Sequence, residues 1–178
     1  HIGDTIFRFG LKDAIKGKIL CPFNYYPLDY TPNQNDRDKL KKVHSMVAAR
    51  KHAGNPMSKE EVWMEIARVY KTSEAKFDPF VGFIENNQYL LERCIIFVET
   101  MEYGEKVLSM VHKYRHDFHT YYGGEDSSVL ERFSRGDLEC LLTCHRLSEG
   151  IDIQSINSVI LFSSSRAKLE SIQRIGRC

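Results

Sequence analysis

Three side chains near the end of the sequence, Gln173, Arg174 and Arg177, have the types and spacing to handle a phosphate group. Leu169, Ile172 and Ile175 recur at helical spacing, which buries one stripe of a helix and turns the rest outward. Gln173 and Arg177 stand one turn apart off that stripe, so an amide and a permanently charged guanidinium share a face. The guanidinium fork presents parallel N–H donors that match phosphate oxygens. Ser165, after Ser163 and Ser164, fits the N-cap of this helix because its hydroxyl can accept from the orphan N–H groups of the first turn. A plain helix end, with arginine at the negative pole of the dipole, would use the same residues. The upstream sequence decides between the two.

The elements that must carry this helix alternate regularly. Cys94 to Val98 is a continuous apolar run, the mark of a strand covered on both faces. Residues 101–116 have a helical pattern with Val107, Leu108 and Val111 inward. Residues 118–122 read as a strand, Gly123 and Gly124 as a turn, 127–133 as a short helix, and 138–143 and 158–162 as two further strands. Such alternation predicts right-handed βαβ units. The expected fold class is therefore α/β: an open parallel sheet with helices on both faces and ligands at the loops beyond the strand carboxyl ends.

Upstream the composition changes. Residues 1–30 start extended, give a short helix over 11–16 that Gly17 stops, and continue as an aromatic run that Pro22 and Pro27 restrict to an edge strand or connector. Residues 31–92 read as a helical insert. A basic amphipathic helix over 36–52 places Leu40, Val43, Met46 and Val47 on one side. Ser58 and Glu61 form a capping box that opens a helix through Val62, Trp63, Ile66 and Val69. Asp78 as cap and Pro79 at the first position begin a third, running to about residue 91. The expected division is a connector (1–30), the insert (31–92) and an α/β domain (93–178). With His1 rather than Met first and a helical pattern last, the sequence reads as part of a longer chain.

At 42% hydrophobic and 28% charged residues the composition is that of an ordinary globular chain, which excludes a disordered one. A net charge of +1 leaves nucleic acid open, because local patches outweigh totals. No apolar run has the length of a bilayer span, and no secretory pattern is present. Five cysteines without a CxxC pair predict a reduced, cytoplasmic chain with no membrane partner. His112, His116 and His119, and likewise Cys140, Cys144 and His145, have ligand-like spacing, yet each group crosses an element boundary. Neither makes a closed four-ligand set, so no metal site is expected. Cys140 and Arg146 also give the C-x5-R spacing of a phosphatase loop, but Leu141 to Thr143 read as strand, leaving Cys140 a buried hydrophobe.

Four stretches in fixed order carry a family resemblance: Ile95 to Thr100, Tyr121 to Gly124, Leu142 through Ile153, and Gln173 to Arg177. Together they resemble the second RecA-like domain of superfamily 2 helicases and translocases, with its motifs IV, V and VI. Glu149-Gly150-Ile151-Asp152-Ile153, followed about twenty residues later by Gln173-Arg174-Ile175-Gly176-Arg177, is a specific pattern. Phe9 to Leu20 is similar to the connector of the branch of DNA-repair helicases and restriction translocases, with Gly17 one position early.

The resemblance implies an ATP-dependent nucleic-acid motor. It makes Arg177 a finger that stabilises charge on the transferred phosphoryl group, and places Gln173 at the γ-phosphate or the attacking water. Gly150, Asp152 and Arg174 fall at the nucleotide, Arg174 also facing the acidic motif of the partner domain. Thr143, Thr100, Gly123, Gly124 and Arg166 line the nucleic-acid backbone. A further motif VI arginine would stand three residues past Arg177, beyond Cys178. The sequence has neither GxxxxGK[ST] nor a DEAD/DEAH-type motif. ATP and Mg2+ are therefore expected mainly on a first RecA-like domain of the same chain, nucleic acid (DNA, by the connector) as partner, and no hydrolysis by this chain alone. The rival reading is a non-catalytic RecA-like module that uses its insert, with Trp63, Tyr70 and Phe77, on a protein partner. Those aromatic residues equally suit the insert's own core.

Overall fold

Four short strands organise the computed structural model, which describes residues 13, 16, 17, 22–122, 126, 128–144 and 156–163. They are β1 (Cys94–Phe97), β2 (Phe118–Tyr121), β3 (Cys140–Thr143) and β4 (Ser158–Leu161), in the order β2-β3-β1-β4. All the pairings are parallel, with Cys94 opposite both Cys140 and Ser158. The two central strands, Cys-Ile-Ile-Phe and Cys-Leu-Leu-Thr, are wholly buried, as apolar runs covered on both faces require.

Alternation along β1 sorts the core into two layers. Cys94, Ile96 and Val98 face α4 (Met101–Val111), which buries Val107, Leu108 and Val111 there. Ile95 and Phe97 face the opposite side, where α5 (Ser128–Arg135) supplies Val129 and Phe133. The chain passes β3 on its way from β1 to β2 and then turns back to β3. Reversing the direction of a crossover of fixed hand moves its helix to the other face. The RecA-like α/β sheet with helices on both faces thus forms as the sequence predicts.

The insert begins with α1 (Gln34–His52) and α2 (Lys59–Lys71). Ser58 opens α2 as expected: its hydroxyl accepts from the Glu61 N–H at 3.1 Å while the Glu61 carboxylate accepts from the Ser58 N–H at 2.7 Å. Asn33 and Asp36 form a second such box on α1. The start of the third helix differs from expectation. A 3-10 turn, Glu74–Lys76, capped by the Ser73 hydroxyl, runs into α3 (Phe77–Glu85). Asp78 and Pro79 therefore lie inside the first turn, where an N–H would have no helical partner and proline loses nothing. The helix stops at Asn86, and a separate 3-10 turn covers Gln88–Leu91.

Phe80 and Ile84 of α3, with Leu91, enter the same core as α4. In packing terms α3 is a layer of the sheet, although it falls within the segment 31–92. Between α1 and α2 the only buried apolar residues among those described are Val43 and Val69. Trp63 (56% exposed) and Tyr70 (39%) do not build a core for the insert, because two packed helices share a single inner face. Phe77 packs instead against Tyr103, ring centres 5.2 Å apart. Residues 22–33 form no strand, so the edge-strand alternative for the proline-bearing run does not hold. The Gly17 N–H donates to the Asp13 carbonyl at 2.8 Å, as a helical turn ending there would require.

Candidate nucleic-acid interface

Parallel strands leave a sheet on one rim. Val98, Tyr122, Cys144 and Phe162 follow the four carboxyl ends, and backbone bonds knit three of these exits together. The Val98 N–H donates to the Thr143 carbonyl at 2.9 Å, and the Phe162 N–H to the Phe97 carbonyl at 3.0 Å. Of the site residues chosen from the sequence, Thr100 and Thr143 are on this rim. Gly123, Gly124, Gly150, Asp152, Arg166, Gln173, Arg174 and Arg177 lie outside the described residues.

Thr100 caps α4, its hydroxyl oxygen accepting from the Tyr103 N–H at 3.2 Å, and keeps its own proton for a further acceptor. Thr143 is fully buried and its hydroxyl donates to the Tyr121 carbonyl at 2.7 Å. In this conformation that hydroxyl ties β3 to β2.

The sequence gives no sign of the polar junction that seats the insert on the rim. Asp36, 1% exposed, accepts from the Ser73 hydroxyl at 2.6 Å, and the Tyr103 hydroxyl donates to the Ser73 carbonyl at 2.7 Å. Lys71 pairs with Glu99 at 3.1 Å, just after β1. Lys76 donates to the Phe162 carbonyl at 2.7 Å and the Lys71 carbonyl at 3.2 Å, with its ammonium over the Tyr30 ring. Burial pulls the Lys76 ammonium down to about 8, with Asp36 and Glu99 pulling partly the other way. Desolvation likewise raises the Tyr103 phenol far above its ordinary range.

These contacts give a pH prediction. Lys76 loses its proton at lower pH folded than unfolded, so its burial penalty is complete below about pH 8 and fades as pH rises toward the free-lysine value. The stability of the wild type relative to Lys76→Met should therefore increase between pH 7.5 and about 10. The slope is at most about 1.4 kcal/mol per pH unit, and less for the share of the group that water reaches. Denaturant melts of both proteins across that range check it, and a constant difference contradicts it.

Cys140 is fully buried within β3, and its hydrogen bond with Cys94, followed by burial, holds its thiol well above the ordinary value. A phosphatase nucleophile needs an accessible thiolate, so the C-x5-R spacing carries no such chemistry. The His112 and His116 Nδ1 atoms lie 3.1 Å apart, while His119 Nδ1 meets the Thr120 carbonyl at 2.7 Å. Among the described residues no group of three His, Cys, Asp or Glu side chains could hold a metal ion. No described carboxylate set therefore fits Mg2+, and the residues that the resemblance aims at ATP lie outside the description. No helix among the described residues is long and apolar enough to cross a membrane.

Comparison with known proteins adds the family context. The family model described as helicase conserved C-terminal domain matches residues 75–178. That match begins just before α3, the helix whose side chains enter the sheet core. Among curated proteins, the chain is 28% identical over 99 residues to the ATP-dependent RNA helicase ROK1 of Vanderwaltozyma polyspora, covering 56% of this chain and 16% of that protein. It is 25% identical over 114 residues to the pre-mRNA-processing ATP-dependent RNA helicase prp11 of Schizosaccharomyces pombe, covering 60% of this chain and 11% of that protein. The chain thus spans less than a fifth of either relative's length. Among solved structures, the Pyrococcus furiosus Hef helicase domain superposes with a TM-score of 0.47 at 20% identity, covering 79% of this chain and 32% of that one.

Proposed function

This chain belongs to the helicase conserved C-terminal domain family, and from that premise we propose that it is the second motor domain of an ATP-dependent helicase or translocase acting on nucleic acid. The observation that supports this most is the parallel register, which brings the exits of β1, β3 and β4 to one rim. The segment with Gly150 and Asp152 leaves from β3, and the segment with Gln173, Arg174 and Arg177 follows β4.

In this reading a first RecA-like domain of the same chain holds ATP and Mg2+ and closes on the rim. Arg177 then places a fixed positive charge where the transferred phosphoryl group gains negative charge, Gln173 orients the reacting groups, and Arg174 meets the partner domain's acidic motif. Gly150 lets backbone approach the nucleotide, and Asp152 accepts from a ribose hydroxyl. Thr100, Gly123, Gly124 and Arg166 hold strand phosphates through groups that read no sequence. For Thr143 to join them, its hydroxyl must release the Tyr121 carbonyl.

The connector's likeness favours DNA as the strand, whereas the two named curated relatives are described as RNA helicases. Equal-length DNA and RNA oligonucleotides therefore both belong in the test. The full-length protein is expected to hydrolyse ATP faster with one of them than without, and residues 1–178 alone to show no turnover with either. Robust, strand-stimulated turnover by residues 1–178 alone would contradict the proposal.

A further inference from the structure

A small polar cleft of about 200 Å³ opens where α1, α2 and the start of α4 meet. Three cations from three elements line it: Lys39 from α1, Arg68 from α2 and Lys106 from α4. Lys106 is committed to Glu74 at 2.6 Å. Lys39 and Arg68 have no ion-pair partner among the described residues. Glu102 is the other carboxylate on the wall, so the cleft keeps a surplus of one positive charge.

We propose that this cleft binds a backbone phosphate of the nucleic-acid strand, so that the insert forms part of the track. The inference rests on the nucleic-acid reading above and extends the track to residues outside the four sequence motifs. Thr100 stands both on the strand rim and on the cleft wall, which makes the two surfaces continuous. Its hydroxyl can donate to the same phosphate that Lys39 and Arg68 neutralise. Thr72 is already engaged, its hydroxyl donating to the Arg68 carbonyl at 2.8 Å and helping to fix the end of α2.

The chemistry of the cleft selects backbone over base. Its aromatic residue, Tyr103, is 4% exposed, so no ring face is open for stacking. The volume suits a compact anion, and the donors are charged and sequence-blind. The charge is also concentrated locally. Helix α1 carries six Lys and Arg against two Asp, and one of these, Asp36, is buried in the junction. The whole chain is nearly neutral, so the positive field belongs to this part of the surface. The Lys71–Glu99 pair and the Tyr103–Ser73 bond hold the insert against the rim, so the two halves of the cleft are fixed relative to each other.

The test is an affinity titration of the full-length protein with a mixed-sequence single-stranded oligonucleotide over a range of KCl concentrations. Lys39→Ala combined with Arg68→Ala should weaken binding about ten-fold at low salt and flatten the log–log salt slope by about 0.7, the loss of one phosphate contact. Lys42→Ala combined with Lys51→Ala removes the same charge from α1 away from the cleft, and should change the slope far less. The charge-keeping pair Lys39→Arg with Arg68→Lys should restore most of the affinity. An unchanged slope in the cleft pair, or equal losses in both alanine pairs, overturns the site and leaves the motor reading standing. A full-length wild type that binds neither DNA nor RNA overturns both.

Discussion

Replacing Arg177 with alanine in the full-length protein is expected to lower kcat for ATP by about a thousand-fold at saturating nucleic acid, with ATP affinity nearly unchanged. The reasoning is differential: a finger that engages only when two domains close stabilises the transition state and not the open, nucleotide-bound state. Arg177→Lys keeps the charge but loses the planar fork, so it should also be strongly impaired. Lys168→Ala, in the same helical pattern but off the motif, should retain turnover. Steady-state kinetics with a thermal melt of each variant separate this from a structural role. A wild-type kcat in Arg177→Ala, or a loss explained by unfolding, contradicts it.

The second large effect concerns Gly104. Replacing it with valine is expected to destabilise the fold by about 3 kcal/mol, and with alanine by about 1 to 2 kcal/mol. A Cβ at this position would come within 2.9 Å of Leu142 Cδ2 and 3.2 Å of Val98 Cγ2, and closer still to the Tyr122 hydroxyl oxygen. Alanine favours a helix by about 1 kcal/mol over glycine. Here the steric term is expected to win, because Val98, Leu142 and Tyr122 are all buried and shifting them disturbs the sheet core. Glycine lets α4 lie directly on the sheet, which sets where Thr100 meets the rim. Guanidinium melts measure the loss, and an alanine variant more stable than wild type would show that the neighbours give way.

Much of the sheet was legible because its cause is local. Cys94 to Val98 and Cys140 to Leu142 are apolar without interruption and buried, and a doubly covered strand uses such runs. The Ser58 box was legible for the same reason, since donor and acceptor sit three residues apart. The start of α3 departs from the sequence pattern because Asp78-Pro79 is a strong start signal, whereas the operative cap, Ser73, precedes a 3-10 turn that periodicity does not register. Trp63 fits the apolar stripe of α2, but it stands half exposed rather than in a core. The junction at Lys76 joins positions 86 residues apart, and Asp36 to Ser73 spans 37, so no sequence window contains either bond. Gly104 reads in sequence only as a weak point in a helix. Its reason is three side chains on other elements. The candidate site was legible as motifs. Thr143 illustrates what residue type leaves out, because its hydroxyl faces a neighbouring strand carbonyl.

The central claim, that this chain is half of a nucleic-acid motor, is tested most directly by ATP-driven strand displacement with the full-length protein on a duplex bearing a single-stranded overhang. The account predicts displacement that requires hydrolysable ATP, stops with a non-hydrolysable analogue, and is lost in Arg177→Ala while the overhang is still bound. Binding without any ATP-dependent displacement or movement along the strand, in a protein that also fails to turn over ATP, would contradict it.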